Sequence, residues 1–353
     1  MSFGDRKGTD IWFTMGPASS DRDVIRQILE AGATGVRLTF SYGTPQIQIE
    51  RANLVRDVAM ELSVRCTIVA DIEGEKIRLG EMDGSKSISV TEGETLNLVP
   101  SSNFHHEQHT IPVNSDSFIT KAKKGDRIVI GDGATSLKIV EKHRGEAVCD
   151  VVKGGVINPN RGIIDQSSGF QPACLTDKDR SDLGEIAESG AFDAVAVSSV
   201  SNSDDIVEVR RIINERSPDL RIIAKIETKS GILNLGKILE ASDMIMIARG
   251  DLALFLPWYE LGNNVDRIVH QAKRSGKPWI MATQVAEGLE RFSFPTRAEI
   301  CDITHWVKEG AGGFLLSTET AFGKRPVDAV ACVSKVVSAA SVEEVQEKFA
   351  KHR

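Results

Sequence analysis

The hydrophobic residues of the chain fall into short, nearly continuous runs, and each run is followed by a segment in which apolar residues recur every three or four positions. Runs without polar alternation are typical of strands buried on both faces of a parallel sheet. Eight runs occur, at residues 11–14, 35–39, 67–71, 194–198, 222–227, 244–249, 279–283 and 313–317. The pattern predicts parallel strands that alternate with helices.

The segment after the first run illustrates the helical pattern. Ser20 is a residue type that favours a helix N-cap, and Val24, Ile25 and Ile28 follow it at helical spacing. Eight strand–helix units favour closure into a (β/α)8 TIM barrel, an α/β fold in which catalytic residues lie at the carboxyl ends of the strands. An open, doubly wound sheet is the alternative arrangement of the same units.

A second domain is predicted between the third and fourth runs, which are much farther apart than the others. The intervening residues contain short alternating segments at 88–90, 95–99, 127–130, 137–140 and 147–152, separated by glycine-containing turns. We therefore predict a small β-barrel lid domain at residues 82–160, inserted into a catalytic barrel formed by residues 1–81 and 161–353. The chain is expected to re-enter the barrel through a helix at 177–189.

The overall composition indicates which kinds of partner the chain binds and where in the cell it is located. A net charge of -7 over 353 residues argues against nucleic acid as the main partner. We find no apolar segment long enough to span a membrane and no signal peptide at the amino terminus. The five cysteines are widely spaced and form no CxxC pair, as expected for free thiols in a reducing compartment. These features predict a cytoplasmic protein that acts on small molecules, with a homo-oligomer possible.

Charged residues stand where the predicted fifth and sixth strands end. Lys225 and Glu227 are two residues apart, so their side chains share one face of a strand, and Asp251 follows the next strand. Carboxylates that leave coordination positions open suit Mg²⁺ or Mn²⁺. Arg37 and Arg78 are suited to bidentate contact with phosphate. Together they predict a phosphate-and-enolate site with a divalent cation; a salt bridge between Lys225 and Glu227 is the simpler alternative.

Several motifs make the interpretation more specific. They are TMGPA at 14–18, VRLTFS at 36–41, AKIET at 224–228, ARGDL at 248–252, ATQ at 282–284, PTRAE at 295–299 and STETA at 317–321. In this order and over nearly the whole chain they resemble the signatures of the pyruvate kinase family. The resemblance implies a TIM barrel with a β lid that transfers a phosphoryl group from phosphoenolpyruvate to ADP.

The resemblance also implies a role for individual residues. It implies that Lys225 contacts the transferred phosphoryl group, that Glu227 and Asp251 bind the divalent cation, and that Arg37 and Arg78 bind phosphate. It also implies that Gly250 binds the substrate carboxylate and that Thr283 and Ser198 lie beside the enolate carbon that is protonated. Asp132, Arg161 and Ser41 are implied to lie on the nucleotide and lid side. Pyruvate and ATP are the implied products. The family's carboxyl-terminal domain has no counterpart here, so regulation by sugar phosphates is not expected.

Some positions depart from the family pattern, mainly on the nucleotide side. Thr39 replaces an asparagine, Tyr42 a histidine and Ser201 an arginine, and Lys76 stands where a glutamate is common beside a K⁺ site. Because an ammonium group can take the place of K⁺, we expect no requirement for that ion. The same departures keep a metal-dependent lyase or aldolase, acting through a pyruvate enolate, as the alternative function.

A group of three histidines lies in the predicted lid, at positions 105, 106 and 109. Its spacing is compatible with Zn²⁺ binding. The polar residues around it favour a solvated loop instead.

Overall fold

The computed structural model of the chain describes residues 8–82, 87–105, 109–131, 133, 135–167 and 170–341. The strands, in chain order, are β1 (Asp10–Thr14), β2 (Gly35–Thr39), β3 (Thr67–Ile72), β4 (Ile88–Val90), β5 (Thr95–Pro100), β6 (Thr110–Val113), β7 (Arg127–Ile130), β8 (Thr135–His143), β9 (Glu146–Lys153), β10 (Gly155–Ile157), β11 (Ile163–Asp165), β12 (Ala194–Val197), β13 (Arg221–Ile226), β14 (Met244–Ala248), β15 (Trp279–Ala282) and β16 (Gly313–Leu316).

The helices complete the alternation. They are α1 (Arg22–Glu30), α2 (Pro45–Glu61), α3 (Asp116–Lys121), α4 (Asp177–Ser189), α5 (Ser203–Asn214), α6 (Lys229–Leu233), α7 (Leu235–Ala241), α8 (Arg249–Phe255), α9 (Leu261–Arg274), α10 (Arg297–Lys308), α11 (Thr318–Ala321) and α12 (Pro326–Ala340). Short 3₁₀ helices lie at Ser101–Asn103, Trp258–Glu260 and Glu287–Glu290. Among the described residues, none of the helices combines the length and apolar character needed to cross a membrane.

Eight strands close into a barrel in the order β1-β16-β15-β14-β13-β12-β3-β2. Every pairing is parallel, including the one between β1 and β16 that closes the ring. The predicted (β/α)8 barrel is therefore confirmed, and the open sheet is wrong. Because all eight strands run the same way, their carboxyl ends meet at one rim.

Two hydrophobic layers hold the barrel together. Side chains such as Trp12, Ile223 and Met246 fill its interior, and a larger layer packs between the strands and the surrounding helices. Gly35 shows how tightly the interior is filled, since a Cβ there would lie 2.5 Å from Cδ1 of Trp12. A larger residue at position 35 would displace the tryptophan or the strand.

The helix starts are set by local capping. Asp21, and not the predicted Ser20, is the N-cap of α1, since its carboxylate accepts hydrogen bonds from the backbone N–H groups of Asp23 and Val24. The prediction was wrong by one residue because both residue types cap well and only the backbone decides between them. Helix α4 has the predicted bounds, and Thr176 and Asp179 form a capping box at its start.

The inserted lid has its own core and its own sheets. Six strands form a mixed sheet in the order β11-β7-β8-β9-β5-β6, and β10 pairs with β4 in a second, two-stranded sheet. Leu96, Ile111, Phe118 and Leu137 are among the side chains buried between them. The last strand of the sheet, β11, begins just after residue 160, where we expected the barrel to resume.

Candidate active site at the carboxyl ends of the barrel strands

Two cavities open at the rim where the barrel strands end. One, of about 550 Å³, lies over the barrel mouth and is lined by Arg37, Ser198, Lys225 and Thr283 among others. The other, of about 470 Å³, extends between barrel and lid and reaches Arg161. Four residues line both cavities, namely Lys76, Arg78, Glu227 and Asp251. The fold thus brings residues from distant parts of the sequence to one place.

Lys225 lies at the centre of the charged residues. Its side chain is 8 % exposed, and its ammonium group donates to Oγ of Ser198 at 2.8 Å and to Oδ1 of Asp71 at 3.2 Å. Oε2 of Glu227 is 3.6 Å away. Burial alone would lower the pKa of Lys225, but the carboxylates of Asp71 and Glu227 outweigh it and raise the pKa to about 12. Lys225 therefore remains a cation at any physiological pH.

Glu227, just after the end of β13, is even more deeply buried than Lys225. Its Oε1 accepts a hydrogen bond of 2.7 Å from the backbone N–H of Ser199, whereas Oε2 is buried and has no hydrogen-bond partner. Burial raises the pKa of this carboxyl group, although the Lys225 cation opposes the shift. A buried carboxylate oxygen without a hydrogen bond is costly unless a ligand satisfies it.

Asp71 joins the lysine to the phosphate-binding arginine, and sequence reasoning missed it. Its Oδ2 lies 3.3 Å from Nη1 of Arg37, while its other oxygen accepts from Lys225. Nε of Arg37 is buried without a hydrogen-bond partner. Asp71 lies within an apolar strand, and the one available signal was a carboxylate in a run that is otherwise hydrophobic.

The two predicted metal ligands fit a divalent cation. Glu227 offers Oε2, which accepts no hydrogen bond. Asp251, at the start of α8, has a side chain that is 45 % exposed, and its Oδ2 lies 3.9 Å from Nζ of Lys76. These are hard oxygen donors with room for water or substrate oxygens, as Mg²⁺ and Mn²⁺ prefer. The described residues contain no group of three or more His, Cys, Asp or Glu side chains placed to enclose a metal ion.

Thr283 and Gly250 face each other across the rim. Thr283 follows β15 with a φ of 68°, and a Cβ on Gly250 would lie 2.8 Å from its Cγ2 methyl group. Gly250 is therefore needed for this close approach. Ser198, the other residue expected near the enolate carbon, donates its hydroxyl to the backbone carbonyl of Ile72 at 2.7 Å.

The residues expected on the phosphate and nucleotide side are spread over both cavities. Arg78 lines both and donates to the backbone carbonyl of Asn160 at 3.2 Å. Ser41 lines the cavity over the barrel mouth and Arg161 the one beside the lid. Asp132 lies outside the described residues.

Two further predictions bear on the chemistry of the chain. His106 of the histidine group lies outside the described residues, so the group's preference for a solvated loop stays a prediction. The five cysteines are free thiols in the structure.

A second residue that sequence reasoning missed is Arg249, whose guanidinium donates to the backbone carbonyl of Thr283. Nothing in its sequence context beyond the ARGDL motif distinguishes it.

A closed parallel barrel with charged side chains gathered at the carboxyl ends of its strands defines an α/β-barrel enzyme. Comparison with known proteins makes the family definite. The family model for the pyruvate kinase barrel domain matches residues 6–330. The chain therefore belongs to the pyruvate kinase family, as its motifs predicted.

Individual relatives agree with this assignment. The chain is 33 % identical over 341 residues to a pyruvate kinase of Thermococcus litoralis, covering 97 % of this chain and 71 % of that protein. It is 32 % identical over 340 residues to pyruvate kinase 2 of Synechocystis, covering 96 % of this chain and 57 % of that protein. A crystal structure of a pyruvate kinase from Cryptosporidium parvum superposes with a TM-score of 0.88 at 29 % identity, covering 94 % of this chain and 69 % of that one.

Proposed function

We propose that this chain transfers the phosphoryl group of phosphoenolpyruvate to ADP, giving pyruvate and ATP through an enolate of pyruvate. The observation that carries the proposal is the buried Lys225 cation, held between Asp71, Ser198 and Glu227 at the edge of the cavity. A fixed cation in a site with little water is well placed to neutralise charge that spreads over the oxygens of a transferring phosphoryl group.

The arginines provide the binding part of the mechanism. Arg37 and Arg78 line the same cavity as Lys225, and the pairing of Arg37 with Asp71 fixes the direction of its guanidinium. Arg37 keeps a buried Nε–H without a hydrogen-bond acceptor. We infer that both arginines bind the phosphate of the substrate and hold it against Lys225, since a planar guanidinium binds phosphate with two hydrogen bonds.

The metal site of the proposal consists of Glu227 and Asp251. These carboxylates would hold Mg²⁺ or Mn²⁺, and a bound divalent cation supplies positive charge that stabilises developing negative charge on substrate oxygens. We assign the substrate carboxylate to Gly250, which precedes Asp251 and has no side chain to cover its backbone; a Cβ at this position would also collide with Thr283. We assign Thr283 and Ser198 to the side of the enolate that takes up a proton.

The acceptor side is the more open part of the site. We propose that ADP enters the cleft between barrel and lid, where Arg161 and Ser41 face the two cavities and Asp132 approaches when the lid, residues 82–160, closes. Nζ of Lys76 lies 3.9 Å from Asp251, so that an ammonium group already occupies the neighbourhood of the metal carboxylate. We therefore propose that activity needs no K⁺.

The proposed reaction is a step of glycolysis. We further propose that the protein works in the cytoplasm as a homo-oligomer. Fluorescence of the tagged full chain in its host tests the location, and enrichment at the cell boundary would contradict it. Sedimentation equilibrium of the purified chain tests the assembly, and a monomer at all accessible concentrations would contradict a homo-oligomer.

A coupled assay for pyruvate tests the proposed reaction. Purified protein with Mg²⁺ and phosphoenolpyruvate should release pyruvate quickly when ADP is present and form an equal amount of ATP. Without ADP the release should be slow. Exchange of the methyl protons of pyruvate without any ATP formation would reject the kinase and support the metal-dependent lyase or aldolase instead.

A further inference from the structure

All three guanidinium nitrogens of Arg249 donate hydrogen bonds, and two of them donate to the segment that follows β15. Nε and Nη2 donate to the backbone carbonyl of Thr283 at 3.1 and 2.8 Å, and Nη2 also donates to the carbonyl of Gln284 at 3.1 Å. Nη1 donates to Oδ2 of Asp302 at 2.7 Å. The side chain of Arg249 is 15 % exposed, so this part of the site has little competing water.

The segment that Arg249 holds has an unfavourable backbone conformation. Thr283 and Gln284 have φ angles of 68° and 53°, two successive left-handed residues that are not glycine. The conformation is especially unfavourable for Thr283, whose side chain is branched at Cβ. Such a backbone persists only where the surroundings fix it, and Arg249 provides hydrogen bonds to the carbonyls of both residues.

The far side of the guanidinium is fixed as well. Oδ1 of Asp302, on α10, accepts a hydrogen bond of 2.7 Å from Nε1 of Trp306, so the carboxylate that holds Arg249 is itself oriented. Trp306 packs edge-to-face on Trp279, the first residue of β15, with ring centroids 6.0 Å apart. The contacts thus link both ends of β15 to Arg249.

The conformation of Thr283 decides where its side chain lies relative to the proposed substrate. Its methyl group is packed against Gly250, which follows Arg249 directly in the chain, and Asp251 comes next. A shift of the Thr283 backbone would therefore disturb this packing and change the position of the hydroxyl group. Lys225 and Arg37 belong to other strands and have separate hydrogen bonds, so they would remain in place.

We propose that Arg249 is a positioning residue for proton transfer, in that it keeps Thr283 in the left-handed conformation that presents its hydroxyl to the enolate carbon. The inference rests on the proposed function, because it assigns Thr283 to the protonation side. It predicts that loss of Arg249 slows proton transfer at carbon far more than it weakens binding of metal or substrate.

The test compares Arg249→Lys with a matched control, Arg210→Lys. Arg210 likewise joins backbone to an aspartate, since it donates to one backbone carbonyl and to Asp243, but it does so at the opposite end of the barrel. The rate of methyl-proton exchange of pyruvate with Mn²⁺ should fall about 10- to 100-fold in Arg249→Lys, as for other small misplacements of a reacting group. The KM for pyruvate and the Mn²⁺ affinity should change little. Arg210→Lys should exchange protons at the wild-type rate.

A second variant separates positioning from general loss of structure. Arg249→Ala should lose exchange activity and regain part of it when millimolar guanidinium is added, whereas Arg210→Ala should not respond. Wild-type exchange in Arg249→Lys, or an Arg249→Ala that guanidinium does not rescue, would overturn the positioning role and leave the proposed function standing. Absence of exchange in a wild-type protein that forms ATP would overturn the roles of Thr283 and Arg249 alone, whereas absence of ATP formation from phosphoenolpyruvate and ADP would contradict the proposed function.

Discussion

The two ends of the barrel use the same residue types in different ways. At the amino ends of the strands, Asp193 and Asp243 each accept a hydrogen bond from the backbone N–H of the second residue of a neighbouring strand. They also pair with an arginine, Arg56 and Arg210 respectively. These pairs are partly exposed, and every carboxylate involved has a backbone donor. They close gaps in the hydrogen-bonding pattern where strands begin.

At the carboxyl ends, by contrast, the central charged side chains are buried and their hydrogen bonding is incomplete. Lys225, Asp71 and Glu227 have side chains that are 8 % exposed or less, while Oε2 of Glu227 and Nε of Arg37 lack hydrogen-bond partners. Burying charges in this way costs desolvation free energy, which ion pairing only partly offsets. Charged groups with missing hydrogen bonds beside a cavity, rather than the presence of ion pairs, therefore distinguish the end of the barrel that carries the candidate active site.

Removal of the buried cation should have the largest effect. Lys225→Met should lower the rate of phosphoryl transfer by several orders of magnitude, because the charge on the transferring group is no longer neutralised. Arg210→Met, which removes a cation at the other end, should turn over phosphoenolpyruvate nearly as fast as wild type. Initial rates of ATP formation measure both. Similar losses in the two variants would remove the distinction between the ends.

Removal of a metal carboxylate should come next. Asp251→Asn should weaken Mn²⁺ binding by about 100-fold or more, since even partners outside the ligand sphere contribute 10- to 100-fold. Asp243→Asn should leave Mn²⁺ binding unchanged. Titration of Mn²⁺ followed by electron paramagnetic resonance gives both affinities. Wild-type affinity in Asp251→Asn would reject Asp251 as a ligand.

The free energy of unfolding of Lys225→Met should depend on pH, and the buried carboxyl groups determine the direction of that dependence. Without the Lys225 cation to oppose the effect of burial, the pKa of Glu227 is raised further. The folded variant therefore binds a proton that its unfolded chain releases above about pH 4.5. The deficit in unfolding free energy relative to wild type should therefore grow from pH 5 to pH 8, toward roughly 3–5 kcal/mol.

Urea unfolding at several pH values measures this deficit. In wild type, Lys225 should add no pH dependence to the free energy of unfolding in this range. The pKa of Lys225 is raised to about 12, so the stabilisation from the charged lysine is lost only above about pH 10.5. Arg210→Met, with its partly exposed pair, should show a smaller deficit that varies less with pH. A deficit for Lys225→Met that is the same at pH 5 and pH 8 would argue against two carboxylates left without their cation.

The smallest expected effect concerns monovalent cations. Because Nζ of Lys76 lies beside Asp251, activity should be nearly equal in K⁺ and in tetramethylammonium chloride at the same ionic strength. Initial rates with saturating Mg²⁺ provide the measurement. A large activation by K⁺ would show that the carboxyl end still depends on a second, monovalent ion.

Much of the fold could be predicted from the sequence because its signals are local. The eight apolar runs became the eight barrel strands, and α4 has the bounds that were predicted from the sequence. The lid was predicted as a β insertion, but its division into a six-stranded and a two-stranded sheet was not. Pairing between strands distant in sequence depends on register and bulges, such as those between β8 and β9, which short segments do not encode.

The site shows the same division between local and distant information. Lys225 and Glu227 were found because a strand places alternate side chains on one face. Asp71 and Arg249 were missed because their roles depend on partners far away in the sequence, namely Lys225 and Asp302. Such contacts arise only when the barrel closes.

The most direct test of the central claim is to follow the phosphoryl group itself. Phosphorus-31 magnetic resonance of purified protein with phosphoenolpyruvate, ADP and Mg²⁺ resolves substrate, ATP and inorganic phosphate in one sample. We expect the phosphoenolpyruvate signal to decay as the three ATP signals grow in equal amount, and we expect Lys225→Met, but not Arg210→Met, to abolish this conversion. A phosphoenolpyruvate signal that stays constant, or that decays to inorganic phosphate alone, would contradict the proposed phosphoryl transfer to ADP.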